Sequence, residues 1–141
     1  MIMELQAPPS VSDATKEKLG KAFLESLKTR DWEKMKDILT PEVIWTLPGT
    51  SLLSGPAAGV DAVLKRAKQL RDFGVMVELR HILIGWTGVG LALHNTASRG
   101  SLVLDEWVVI VCEITGDKIS RISTYLSDVD GINAFFIEGV I

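Results

Sequence analysis

Cysteine is almost missing from the chain. Cys112 is the only one, so an internal disulfide framework and a cysteine-based zinc site are both excluded. That usage fits a reducing, cytoplasmic compartment. Long apolar runs are missing too. Stretches such as Trp107–Cys112 reach six residues, far short of the ~20 a membrane-spanning helix needs, so no membrane span is expected. Met1 to Ser10 has no basic n-region and does not read as a secretory signal. A positive excess is absent as well: 15 Lys and Arg against 18 Asp and Glu leave a net charge of −3, which speaks against a nucleic-acid partner. Lysines cluster early (Lys16, Lys18, Lys21, Lys28) but alternate with Glu17 and Glu25, the pattern of a solvated helix face. With only His81 and His94, no phosphate-binding loop and no HExxH, neither a metal nor a cofactor is expected.

Apolar residues are plentiful. They make up 47% of the 141 residues, with 23% charged, enough apolar side chain to offset the entropy of ordering one domain. That domain is expected over residues 12–141, with residues 1–11 a flexible N-terminus.

The hydrophobic period changes once along the chain. From Ser12 to Arg30, Leu19, Phe23 and Leu27 recur every four residues, predicting a helix capped by Ser12 or Asp13. A short second helix is predicted over Asp31–Leu39 and a third over Asp61–Asp72, with a β segment at Glu42–Leu47 and a loop through Gly59 between them. After Gly74 the period is two, predicting strands at Gly74–Gly85, Val89–Ser98, Ser101–Ile114 and Lys118–Leu126, then a short helix at Asp128–Ile137. Helices followed by a strand meander imply an α+β fold, with the helices on one face of a curved antiparallel sheet.

Turn chemistry sets the register. A three-residue loop Trp86-Thr87-Gly88, with Gly88 left-handed, pairs His81 with Leu93. A two-residue loop Arg99-Gly100 pairs Leu93 with Glu106, and a loop Thr115-Gly116-Asp117 pairs Val108 with Thr124. These choices put Leu79, His81, Leu91, Leu93, Asn95, Glu106, Val108, Ile110, Ile122 and Thr124 on one mainly apolar face. On the opposite face His94 and Asp105 become cross-strand neighbours, read as a surface pair, and Trp107 and Tyr125 offer a contact for a homodimer.

His81 and Glu106 then flank Leu93 on the apolar face, two strand spacings or roughly 10 Å apart, leaving room for a small ligand. A buried carboxylate without a partner is driven toward its neutral form, which suits general acid–base chemistry, and histidine can serve as its counterpart. The alternative is a core histidine and a glutamate that reaches the rim to pair with Arg66 or Lys65. Gly85–Gly90 (GWTGVG) has the wrong glycine order for a dinucleotide loop and opens a strand, not a helix.

The run Val43-Ile44-Trp45-Thr46-Leu47-Pro48-Gly49, followed by Ser54-Gly55 and Gly59-Val60-Asp61-Ala62-Val63, resembles the "VxWxxPG…G…GxdaV" pattern of SnoaL-like proteins. Gly116-Asp117-Lys118-Ile119 and Tyr125-Leu126-Ser127-Asp128 resemble that family's ending. The family lies in the nuclear-transport-factor-2-like (NTF2-like) superfamily, and the likeness spans about residues 12–137. It implies a cystatin-like α+β cone: a bent sheet around a pocket, closed behind by three helices of the N-terminal half and followed by a short C-terminal helix. Relatives include cofactor-free, mostly dimeric ketosteroid isomerases, limonene-epoxide hydrolases and polyketide cyclases. At the Asp-Arg-Asp positions of the epoxide hydrolases this chain aligns Leu93, Asn95 and Thr124, and its only tyrosine, Tyr125, is not on the first helix as in ketosteroid isomerases. Asp128 stands where polyketide cyclases place an acid/base, or else it caps the last helix.

The expectation is thus a cofactor-independent isomerase- or cyclase-like enzyme acting on a small apolar carbonyl-bearing or cyclic metabolite. Glu106 would be base or acid, His81 its partner, Asn95 a donor to a developing oxyanion, and Asp128 a further acid/base. Trp45, Leu93, Val108, Ile122 and Thr124 would shape the pocket. The alternative is a non-catalytic hydrophobic-ligand-binding or dimerisation module of the same fold.

Overall fold

A computed structural model describes residues 11–138. The N-terminus expected to be flexible therefore lies outside the described residues, apart from Val11. Helix α1 (Asp13–Thr29) begins where the Ser12 side chain accepts from the Thr15 N–H, and it buries Leu19, Phe23 and Leu27 on one stripe. It ends at Arg30 in the left-handed conformation, φ 58°. Asp31 then caps α2 (Trp32–Asp37) through the Lys34 N–H.

Strands β1 (Leu39–Leu47) and β2 (Gly55–Ala58) precede α3 (Val60–Asp72), and β3 (Met76–Ile84), β4 (Gly88–Arg99), β5 (Leu102–Thr115) and β6 (Lys118–Leu126) follow it. Helix α4 (Val129–Phe135) comes last. The six strands form one curved, unclosed sheet in the order β2-β1-β6-β5-β4-β3, antiparallel except where β1 runs parallel to β6. Strand β2 falls in the stretch read as loop; four residues beginning Gly-Pro carry no alternation to betray it.

Register differs from expectation at all three hairpins, each time for a local reason. The β4–β5 turn is Gly100-Ser101, so Arg99 pairs Leu102 and Asn95 pairs Glu106. Gly100 has φ 57° as the first central residue, the position where a II′-type hairpin turn takes glycine. Gly116 (φ 65°) plays the same part between Thr115 and Lys118, and a bulge next to Ile114 brings Val108 opposite Leu126. At the β3–β4 tip Ile84 pairs Val89, one residue out of the expected phase, and a bulge at Arg80 restores the phase at Leu79↔Leu93. Gly88 is not left-handed there: a Cβ on it would stand 2.0 Å from the Cys112 carbonyl oxygen, so close backbone approach is what requires glycine.

The main core joins Leu19, Phe23, Met35, Val43, Val63, Leu91, Ile110 and Ile122 between helices and sheet. A second cluster, around Val75, Leu104, Ile132, Phe135 and Phe136, seats α4 against the end of the sheet.

Candidate functional site

Between those two clusters the concave face of the sheet leaves a cavity of about 50 Å³, room for a few water molecules. Its wall is apolar (Phe23, Trp45, Leu93, Val108 and Phe136 among others) except for Arg66, Asn95, Glu106 and Thr124.

Glu106 is 1% exposed. Its Oε1 accepts from the Asp128 backbone N–H at 3.1 Å and from the Ser127 hydroxyl at 3.4 Å. Among the described residues no Lys, Arg or His lies within ion-pair distance of it. The pairing with Arg66 or Lys65 at the rim, considered from sequence, is therefore not made. Burial pushes the carboxyl above the ordinary glutamate range, the nearby Asp128 and Asp105 carboxylates add to this, and the Asp128 N–H and Ser127 hydroxyl oppose it. Gly131 packs directly against the group: a Cβ there would stand 2.9 Å from Glu106 Oε2.

Asn95 is the direct cross-strand partner of Glu106 and lines the same cavity. Its side-chain oxygen is buried without a hydrogen-bond partner. Thr124 also lines the cavity, and its hydroxyl accepts from Trp45 Nε1 at 2.8 Å. That bond orients an indole already packed edge-on against Phe23.

Three expected members stand elsewhere. His81 is exposed and pairs with Ala92 on the outer face, because the Arg80 bulge shifts the alternation by one residue. It therefore does not share the cavity with Glu106. Ile122 is fully buried in the main core, opposite Cys112, and does not line the cavity. Asp128 is exposed and off the cavity wall; its side chain accepts from the Gly131 N–H at 3.0 Å, so it caps α4. On the outer face His94 stands opposite Trp107 rather than Asp105 and stacks on that ring at 4.3 Å, yet its Nε2 still reaches Asp105 Oδ1 at 2.6 Å.

Sequence reasoning did not place Arg66 in the cavity. It is 6% exposed and sits three residues after Val63 on the buried stripe of α3. A cation on an apolar helix stripe was the available signal. Among the described residues no three His, Cys, Asp or Glu side chains converge where a metal ion could sit, and no helix is long and apolar enough to cross a membrane.

No protein-family model matches the chain. An uncharacterized protein of Mycobacterium tuberculosis and another of Mycobacterium bovis are each 28% identical over 110 residues, covering 75% of this chain and 84% of theirs. Among solved structures, Bal32a from a soil-derived mobile gene cassette superposes with a TM-score of 0.83 at 20% identity, over 89% of this chain and 98% of its own. An NTF2-like protein from Burkholderia xenovorans gives 0.76 at 14% identity, over 89% and 98%. This chain has the NTF2-like fold. An LEH-like epoxide hydrolase of M. tuberculosis shares it, with a TM-score of 0.70 at 19% identity over 90% of this chain and 92% of that one, as do proposed isomerases. At these identities the likeness is one of NTF2-like architecture, and architecture alone does not choose among the chemistries it hosts.

Proposed function

We propose that the cavity is the active site of a cofactor-independent, SnoaL-like proton-transfer enzyme, isomerase- or cyclase-like, acting on a small apolar carbonyl-bearing or cyclic metabolite. One observation carries this reading: Glu106 is buried without a cationic partner in the wall of an apolar cavity, beside an amide whose oxygen has no partner either. Glu106 is the base that takes a proton from the carbon next to a carbonyl, and the acid that returns it at a second carbon. The Asn95 amide donates to the oxygen on which negative charge develops. A carboxyl held above the ordinary range stands closer to neutral pH than a solvated glutamate, which suits both halves of the cycle.

Hydrogen–deuterium exchange at the α-carbons of cyclopentanone, followed by NMR in D2O, tests the reading without knowledge of the natural substrate. The chain is expected to accelerate exchange over buffer, and Glu106→Gln to remove that acceleration while the fold persists. Equal exchange by both proteins would overturn the catalytic role. It would favour the second reading, a hydrophobic-ligand-binding module, which the apolar lining of the cavity supports.

We also propose a homodimer through the outer sheet face, where Trp107 and Tyr125 are 54% and 61% exposed. Acidic and basic side chains (Glu78, Arg80, Glu113, Arg121) lie around them, a mixture that can complement itself across a two-fold axis. Sedimentation of Trp107→Asp against the unaltered chain tests it, monomer and dimer being the expected species.

A further inference from the structure

Arg66 reaches the cavity from α3, and its guanidinium is satisfied only in part. Its Nη1 donates to the Trp45 carbonyl, its Nη2 to the Gly55 carbonyl at 2.8 Å, and its Cζ lies 5.6 Å from the centroid of the Trp45 ring. Among the described residues no carboxylate lies within ion-pair distance of it. A buried cation whose bonds go only to neutral carbonyls is costly unless an anion joins it, since two carbonyl dipoles do not replace a counter-charge. The fork also keeps N–H groups beyond the two it has used. Among the described residues the only carboxyl on the cavity wall is that of Glu106, which is anchored instead to the start of α4.

We propose that Arg66 is the anion-recognising element of the cavity, and that the ligand is a small carboxylate whose apolar body lies against Leu93 and Val108. This deepens the proton-transfer reading by adding a carboxylate to the carbonyl compound, but it concerns binding alone. Burial drives Glu106 toward its neutral form, which leaves the positive charge of Arg66 the less compensated. The Trp45 indole, held by Thr124 and lying over the guanidinium, is a reporter built into the site.

The test compares butanoate with butan-1-ol, which share a chain and differ in charge, by titrating the Trp45 indole N–H resonance. Butanoate is expected to bind at least about tenfold tighter, as a charge-assisted bond to a carboxylate implies. Arg66→Gln is expected to abolish that preference. Arg66→Lys, which keeps the charge and loses the fork, should retain part of it and guards against a Gln variant that fails to fold. Equal binding of acid and alcohol, no shift of Trp45 by either, or a preference that survives Arg66→Gln would each overturn the assignment. Butanoate is not turned over, so failure here leaves the Glu106 chemistry standing. Equal cyclopentanone exchange by the chain and its Glu106→Gln variant, conversely, leaves the Arg66 subsite standing.

Discussion

Asn95 and Glu106 stand directly opposite one another across the β4–β5 ladder, and neither completes its hydrogen bonding within the described chain. Their juxtaposition comes from the turn, because Gly100-Ser101 rather than Arg99-Gly100 closes the hairpin and moves the pairing by two residues. An even shift keeps every side chain on its face, so both groups still look into the cavity.

Glu106→Gln should leave the folded state at least as stable at neutral pH. The wild-type carboxyl holds its proton more tightly folded than unfolded, its ordinary value being 4.5 and the folded one higher. More protons are bound in the native state between those values, so wild-type stability falls as pH rises through that window and is fully present below it. Urea unfolding from about pH 4 to pH 8 should show wild type losing ground to the Gln variant as pH rises. The opposite slope would place Glu106 in an unrecognised ion pair.

Gly88→Ala should destabilise the domain by about 1–3 kcal/mol, the usual cost of forcing packed backbone apart. The atom in the way is the Cys112 carbonyl oxygen, which cannot swing aside as a side chain can. Chemical denaturation measures the loss. A neutral substitution would mean the hairpin tip is looser than this packing requires.

Lys16 is 2% exposed, and its ammonium donates to the Gly85 and Trp86 carbonyls at 2.9 and 3.0 Å, fastening α1 to the β3–β4 tip. Lys16→Ala should cost about 1.5–3 kcal/mol, the range for hydrogen bonds to a charged group. Amide exchange should rise first at the β3–β4 loop. Uniform loss of protection across the domain would argue that the clip acts globally.

Cys112 is fully buried, and burial pushes its thiol up to about 12. The native protein should therefore resist thiol-specific reagents at pH 8 and react only when unfolded in urea, because the thiolate is the reactive form. Rapid labelling of the native chain would contradict the packing around β5.

Thr124→Val should leave the indole N–H of the buried Trp45 unpaired, at a cost of about 1–3 kcal/mol. Trp45 fluorescence and the indole resonance should shift while the overall fold is kept. An unchanged indole resonance would mean that water replaces the hydroxyl.

Much of this architecture was legible from local pattern. The four-residue spacing of Leu19, Phe23 and Leu27 specified α1, and the caps at Ser12 and Asp31 marked where two helices begin. The inward faces of β4, β5 and β6 were readable too, since a register error of two residues does not change which side chains point inward. Strand β2 was not legible, being too short to show a period. His81 was misplaced for a related reason: no residue type announces the bulge at Arg80, which exists because the tip of the hairpin and its far end pair out of phase.

Sequence by itself determined an α+β domain with a greasy concave face, because alternation along a strand and spacing along a helix are properties of neighbouring residues. Tertiary structure alone decided which polar groups share the cavity. Glu106 is held from α4, more than twenty residues further along the chain, and Arg66 arrives from a helix that precedes every strand of the meander. Those meetings depend on how the sheet bends and where its ends are closed, and no local pattern encodes either.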